Sequence, residues 1–139
     1  MRRNFKKLQL LCVFLICTLS THAQKEFDWS KLIDAIIQVE SKGDKNAKNS
    51  SGNCVGILQI TPILVKQCNI WLKNEKSSKR YTLNDRLNVE KSKEMFVLYQ
   101  KYYNPTNNID KAIRIWNRGP HYTIANTNAY VKKVMKYYK

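Results

Sequence analysis

The fold is indicated first by one stretch near the start of the chain, residues 29–40, which reads WSKLIDAIIQVE. Its apolar residues recur three or four positions apart, and an α-helix of about 3.6 residues per turn brings such positions onto one side. The residues of this apolar stripe are Trp29, Leu32, Ile33, Ile36 and Ile37. Asp28 is a candidate N-cap, and Gly43 lies just past the predicted end, where glycine commonly terminates helices. The stretch therefore predicts an amphipathic helix that packs against a core.

The chain beyond this helix continues in mainly helical patterns. Polar residues 44–54 are rich in Asn, Ser and Lys and predict a loop or a small hairpin. Thr61 followed by Pro62 is typical of a helix start, because threonine caps free N–H groups and proline fits the first helical position. We expect that helix to continue to about Asn74, with an exposed, charged connection over residues 73–80.

Three further helices are predicted in the second half of the chain. Asn88 is a candidate cap for the first of them, and residues 104–107, NPTN, end it. The other two run from Asp110 to about Asn117 and from about Asn128 to Tyr138. The sequence therefore predicts a mainly α fold of about five to six helices with at most a small hairpin.

The first part of the chain has the pattern of a secretory signal. Residues 1–23 have four basic residues among the first seven, continue in a mostly apolar run from Leu8 to Leu19, and end on the small residue Ala23. The run is shorter than the roughly 18 to 20 residues of a membrane-spanning helix, so no stable span is expected after cleavage. Of the 139 residues, this leaves residues 24–139 as one domain. We expect the protein to be exported, to the periplasm or to the medium.

Composition and charge narrow the class of partner. Hydrophobic residues make up 43% of the chain, too many for a disordered basic tail. The formal charge is +15, which favours encounter with acidic polymers. Export and the lack of a nucleic-acid-reading motif argue against a nucleic-acid partner and favour the cell wall or an anionic membrane surface.

Two cysteines remain beyond the signal, Cys54 and Cys68. An even pair in an oxidising compartment is a candidate disulfide, and two free thiols are the alternative. Two cysteines with no nearby histidine do not make a zinc site, and no metal or cofactor is predicted.

Glu40 breaks the apolar pattern of the first helix. It follows Trp29 by eleven positions, and eleven steps of about 100° return nearly to the starting direction, so Glu40 is predicted on the apolar side. Burial and the negative end of the helix dipole both raise the pKa of a carboxyl group. A proton donor at neutral pH is one interpretation. A glutamate turned to solvent at a frayed helix end is the other.

Four motifs in order surround this residue. They are Glu40-Ser41, GILQITP over residues 56–62, AIRIWNRGP over residues 112–120, and Tyr130-Val131. Their order and spacing resemble the soluble Slt-type lytic transglycosylases of the lysozyme-like superfamily, over about Trp29 to Tyr138. Leu58, Ser92 and Trp116 depart from that family's usual Met, Gly and Tyr. The resemblance implies a lysozyme-like catalytic domain over residues 24–139.

The resemblance also implies a reaction. Glu40 would protonate the bond between N-acetylmuramic acid (MurNAc) and N-acetylglucosamine (GlcNAc) in glycan strands of peptidoglycan, and the C6 hydroxyl of MurNAc would then close a 1,6-anhydro ring. Animal-type lysozymes place a catalytic Asp two residues before the motif's Gly, and here that position is Cys54.

The chemistry of four further residues predicts supporting roles in substrate binding. Ser41 would bind the substrate or orient Glu40, and Gln59 would bind along the sugar cleft or make only a loop contact. Asn117 would bind the N-acetyl group or the Glu40 carboxyl group, and Tyr130 would place its hydroxyl near Glu40 or only pack in the core.

Two other functions remain open from the sequence. A muramidase would hydrolyse the same bond with a bound water, and a non-catalytic basic protein would bind the wall or a membrane without cutting it. The small size and the habit of the family suggest local wall opening for a secretion or conjugation machine.

Overall fold

Helix α1 (Ser30–Glu40) buries the apolar stripe that the sequence predicts. Trp29 and the four stripe residues that follow it are at most 6% exposed. The N-cap differs from the prediction: Trp29 occupies it, and Asp28, one residue earlier, accepts a hydrogen bond from the Ser30 N–H at 2.9 Å through its side chain. Asp28 therefore still satisfies a free N–H of the first turn from outside the cap position.

The computed structural model describes residues 26–139, so the predicted signal over residues 1–23 lies outside the described residues. Within the described range there are five α-helices and one 3-10 helix, which confirms the mainly α prediction. After α1 come α2 (Pro62–Asn74), the 3-10 helix (Leu83–Leu87), α3 (Val89–Tyr103), α4 (Ile109–Arg118) and α5 (Ile124–Met135).

Side-chain caps fix where several of these helices begin. The Thr61 hydroxyl accepts from the Leu64 N–H with Pro62 in the first turn, and the Asn88 side chain accepts from the Lys91 N–H, as predicted. The prediction for the last helix was wrong at both ends. Helix α5 begins four residues before Asn128, because Thr123 and Asn126 form a reciprocal capping box, and it ends at Met135.

The core forms where α1 packs against α5, α4 against α5, and α2 against α3. A chain of aromatic rings crosses it. Trp29 meets Phe96 of α3 with ring centroids 5.9 Å apart, and Phe96 meets Trp116 of α4 at 4.9 Å. Both contacts are edge-on or tilted, the geometry that aromatic pairs favour. The start of α1 is thereby linked through the core to a residue of α4.

The long connection between α1 and α2 is a loop held by isolated bridges. Val55 pairs with Lys48 and with Ile60, and no longer strand forms in the described residues, within the prediction of a small hairpin at most. Gly56 has φ of +83°, and a Cβ on it would stand 1.8 Å from the Arg86 carbonyl oxygen. The Arg86 guanidinium in turn donates to the carbonyls of Asn53 and Ile60. The 3-10 helix therefore clamps the loop that carries the GILQITP motif.

Residues 26–139 contain no helix with both the length and the apolar character needed to cross a membrane.

Candidate active site

A cleft of about 490 Å³ opens between the α1–α2 loop and helices α2, α3 and α4. The loop contributes residues from Asn49 to Thr61, α2 contributes its first two turns, and α4 contributes its C-terminal turn with Gly119-Pro120. Glu40 reaches the cleft from the last position of α1. Three of the four sequence motifs therefore meet at one cleft, although up to 80 residues separate them along the chain.

The Glu40 carboxyl group is half-buried and has one side-chain partner. The Tyr130 hydroxyl, from α5, donates a hydrogen bond of 2.5 Å to Glu40 Oε1. Burial raises the pKa of Glu40 above its ordinary value of 4.5, and the hydrogen bond from Tyr130 offsets part of that rise. The pKa of Tyr130 is raised as well, by burial first and then by the Glu40 charge, so this hydroxyl keeps its proton and remains a donor.

Among the described residues that line the cleft, Glu40 is the one carboxylic acid. Cys54 lines the cleft at the position where animal-type lysozymes have their second acid. The cysteine side chain has no carboxyl group, and a glycosidase of the hydrolytic type uses two carboxyl groups. The described lining of the site therefore offers one carboxyl group, Glu40, and no second carboxyl group opposite it.

Gln59 lines the cleft in a strained backbone conformation, with φ of +52°. Its Nε2 donates to the carbonyl oxygens of Ala47 at 3.1 Å and of Gly56 at 2.9 Å. Because both partners are acceptors, the amide nitrogen must face them. The amide oxygen is then the part of Gln59 that can accept a hydrogen bond from a ligand.

Asn117 and Trp116 form the α4 side of the cleft, and both are half-buried. The Asn117 side-chain amide makes no hydrogen bond to another residue within 26–139, so its donor and acceptor are both available to a ligand. The Trp116 ring packs against Phe96 and Tyr99, and its remaining surface faces the cleft.

Two of the predicted site residues do not line the cleft. The Ser41 hydroxyl donates to the Ile57 carbonyl oxygen at 2.8 Å and accepts from the Gly43 N–H, so it ties the end of α1 to the loop. A direct substrate contact is therefore not what the Ser41 geometry favours. Tyr130 meets Glu40 from α5, behind the cleft surface, and touches the site through that carboxyl group.

Other cleft residues were not singled out from the sequence as site residues. Tyr99 and Tyr103 of α3 line it, and Tyr99 donates to the Ile115 carbonyl oxygen at 3.2 Å. Both rings also pack against Trp71, with centroids 6.1 Å and 5.5 Å from it, so these tyrosines join the core to the cleft. Asn49 lies in a polar run, whereas Ile63 and Gln67 lie in the first two turns of α2, and no signal in the sequence separates these three from ordinary surface residues.

The two cysteines are free thiols in the structure, which is the unbridged alternative. Cys68 lies on the buried side of α2, within the hydrophobic core, and has no exposed surface. Cys54 is half-buried at the cleft. Burial raises the pKa of Cys68 to about 12, so its thiol stays protonated and packs as a small apolar group.

Helix α5, which carries Tyr130, is fixed to α4 by a buried arginine. Arg114 forms a two-pronged ion pair with Asp110, with distances of 2.6 Å and 2.9 Å. Its third nitrogen donates to Thr127 Oγ1 at 2.7 Å and Asn128 Oδ1 at 2.9 Å on α5. A planar guanidinium can make these bonds at once, which a lysine cannot. This contact ties the helix that carries Asn117 to the helix that carries Tyr130.

Comparison with known proteins identifies the family of the chain. No curated protein and no solved structure matches the chain. The family model of the transglycosylase SLT domain matches residues 18–137, which is most of the chain. The chain therefore belongs to the soluble lytic transglycosylases of the lysozyme-like superfamily, enzymes that act on peptidoglycan.

Proposed function

We propose that the protein cleaves the MurNAc-β-1,4-GlcNAc bond of glycan strands with formation of 1,6-anhydro-MurNAc ends, and that Glu40 is its catalytic residue. The observation that carries this proposal is Glu40 itself: a half-buried carboxyl group with a raised pKa, alone among the acids of the described cleft lining. Such a group holds its proton at a pH where an ordinary glutamate has lost it, as a general acid requires.

The reaction balances with this one group. Glu40 gives its proton to the glycosidic oxygen while the bond from that oxygen to the anomeric carbon of MurNAc breaks. The carboxylate then accepts the proton of the MurNAc C6 hydroxyl, whose oxygen bonds to the anomeric carbon and closes the anhydro ring. Glu40 ends protonated, as it began. The attacking oxygen belongs to the same sugar, so proximity replaces the capture of a water.

The lack of a second carboxylate among the described cleft residues fits this scheme better than hydrolysis. An inverting glycosidase needs a base for water, and a retaining one needs a nucleophile. In the intramolecular reaction, neither is required. We assign stabilisation of the positive charge at the anomeric carbon to the substrate's own N-acetyl oxygen, as the family resemblance implies.

We assign supporting roles from the contacts of each residue. Tyr130 positions the Glu40 carboxyl group through its hydroxyl. Asn117, with a free amide, binds the N-acetyl group, and the Gln59 amide oxygen accepts from a sugar hydroxyl. Ser41 is a positioning residue that fixes the α1 end against Ile57, rather than a substrate contact.

We also propose that residues 1–23 direct export and are removed, so that residues 24–139 act on the wall from the periplasm or the medium. Acting on peptidoglycan requires a place outside the cytoplasm. Local wall opening for a secretion or conjugation machine suits a domain of this size, and its test is loss of transfer or secretion in cells that carry Glu40→Gln.

Mass spectrometry of digested peptidoglycan tests the central proposal. Wild-type protein should release ends that are one water lighter than hydrolysed reducing ends, and Glu40→Gln should release none. Asp34→Asn, on the exposed side of the same helix, is the matched control and should digest like wild type. A digest with only hydrolysed ends would identify a muramidase instead, and equal release by Glu40→Gln would identify a wall-binding protein with a contaminating activity.

A further inference from the structure

Helix α2 has a second groove on a different face from the cleft. The cleft uses Ile63, Leu64 and Gln67, whereas the groove, of about 530 Å³, uses residues of α2 from Val65 to Lys73 that lie elsewhere around the helix at about 100° per residue. Residues 80–83, which lead into the 3-10 helix, form its opposite side.

The floor of this groove is fixed by reciprocal hydrogen bonds. Asn69 Nδ2 donates to the Tyr81 carbonyl oxygen, and the Tyr81 N–H donates to Asn69 Oδ1, both at 2.8 Å. Tyr81 is 6% exposed, and its hydroxyl donates to Glu94 of α3. The connection after α2 is therefore held against the helix, and the groove exists without a ligand.

The charged residues that line the groove are all positive. Lys66, Lys73 and Arg80 line the groove, and no acidic residue lies among its described lining residues. None of these three cations has a carboxylate within ion-pair distance in residues 26–139, although the neighbouring Lys79 is paired with Glu94 at 2.6 Å. Unpaired cations around one concave surface add their fields there and attract an anion.

Apolar surface accompanies these charges. Ile70 is 43% exposed and Leu83 is 51% exposed, on the two sides of the groove. A free inorganic anion has no apolar groups to bury against this surface. A short peptide with carboxylates and methyl side chains contacts both the cations and the apolar groups. The groove chemistry thus fits an acidic peptide segment.

We infer that this groove binds the carboxylates of the peptide stems that branch from MurNAc in peptidoglycan. The inference rests on peptidoglycan as the substrate, which the proposed function shares, and not on the anhydro product. An extended stem of four residues reaches about 13 to 14 Å, and a helix with its side chains is about 10 to 12 Å across. Passing around half of such a helix takes about 16 to 19 Å, so the stems that bind in the groove belong to a neighbouring glycan strand and not to a sugar bound in the cleft.

Stem peptides released from the glycan by an amidase test this inference directly, because they carry no sugar for the cleft to bind. Isothermal titration at low salt should show binding to the wild-type chain that weakens as salt is added. Lys66→Gln/Lys73→Gln should weaken it about fivefold, the effect of losing two exposed charge contacts. The matched control, Lys31→Gln/Lys132→Gln, removes the same charge from exposed lysines that line neither the cleft nor the groove. Its affinity for the stem peptides should stay within about twofold of wild type.

Three results would overturn the inference. Equal weakening in the control would mean that net charge alone attracts the peptides. Equal binding of stem peptides with amidated carboxyl groups would remove the carboxylates from the recognition. Binding of a poly-glutamate peptide through Lys66 and Lys73, with no binding of stem peptides, would assign the groove to an acidic protein segment. Since no bond is cut in this titration, failure of the anhydro chemistry leaves its outcome unchanged.

Discussion

The Tyr130 hydroxyl donates to Glu40 Oε1 at 2.5 Å, although 90 positions separate the two residues in the chain. Glu40 ends the first helix and Tyr130 lies in the last, so the packing of α1 against α5 brings them together. The same contact lowers the Glu40 pKa against the larger effect of burial. Position and proton affinity of the acid are therefore both set by a residue of the last helix.

Tyr130→Phe separates these two effects. Without the hydroxyl, burial acts on Glu40 unopposed, so the pKa of Glu40 rises further and the falling limb of the pH–rate profile moves to higher pH. The loosened carboxyl group should also lower kcat by about tenfold, with little change in KM. The measurement is turbidity loss of purified walls from pH 4 to 9.

The control for this variant is Tyr137→Phe. Tyr137 lies just beyond α5 and is 53% exposed, so the loss of its hydroxyl should change neither the rate nor the profile. A falling limb that stays in place in Tyr130→Phe would mean that the hydrogen bond does not affect the proton affinity of Glu40.

Glu40→Gln should stabilise the fold at neutral and alkaline pH. Because burial raises the folded pKa of Glu40 above 4.5, the wild type is fully stable below that ordinary value and loses stability as pH rises through the folded pKa. Glutamine does not ionise and can still accept from Tyr130. The melting temperature of the variant should therefore exceed that of wild type by a margin that grows from pH 4 to pH 8.

Thermal unfolding of Asp34→Asn provides the comparison, because Asp34 is exposed on the same helix. Its melting temperature provides the reference for a carboxyl-to-amide change at an exposed position of α1. If the margin of Glu40→Gln shrank as pH rose, the carboxyl group would be stabilised in its ionised form, and its role as a proton donor at neutral pH would be lost.

The caps of α2 and α3 and the buried stripe of α1 were predictable because they depend on neighbours in the sequence. Thr61-Pro62 and Asn88 use N–H groups a few residues away, and the stripe of α1 needs only the helical period. The start of α5 was missed because its first turn is exposed: Ile124 is 65% accessible, so the first turn adds nothing to an apolar stripe. The 3-10 helix buries none of its residues and left no pattern either.

The catalytic candidate Glu40 was predictable from the sequence, whereas the contacts of the residues around it were less so. Eleven helical steps from Trp29 place Glu40 on the inner side, and the structure agrees. Ser41 was expected to bind the substrate or to orient Glu40, and its hydroxyl donates to the Ile57 carbonyl oxygen, 16 residues away. Such a partner is decided by loop packing, which no local rule describes.

Gly56→Ala should unfold the protein more readily than any neighbouring glycine change. The residue has φ of +83°, and the added Cβ would stand 1.8 Å from the Arg86 carbonyl oxygen, a backbone atom that cannot turn away. The left-handed backbone alone costs about 1 to 2 kcal/mol for alanine, and the displacement of the 3-10 helix adds about 1 to 3 kcal/mol. Urea unfolding measures the sum, and wall lysis should fall with it because Gln59 moves.

Gly52→Ala is the matched control for that experiment. Gly52 has φ of +69° in the same loop, but nothing lies within 4 Å of an added Cβ, so only the backbone strain remains. Equal loss of stability in both variants would mean that the close contact between residue 56 and the Arg86 carbonyl oxygen does not affect the free energy of unfolding. The 3-10 helix would then not clamp the loop.

The two cysteines should differ sharply in their reaction with a thiol reagent. Cys54 is half-buried at the cleft and should be modified in the native protein, whereas Cys68 is fully buried with a pKa raised to about 12, so it lacks both access and thiolate. In the chain cut after residue 23, titration should give one fast thiol, lost in Cys54→Ser, and a second only in denaturant. Cys68→Ser should leave the fast phase intact. A native protein without a reactive thiol, and with a mass two hydrogens lower than the reduced chain, would contain the disulfide instead.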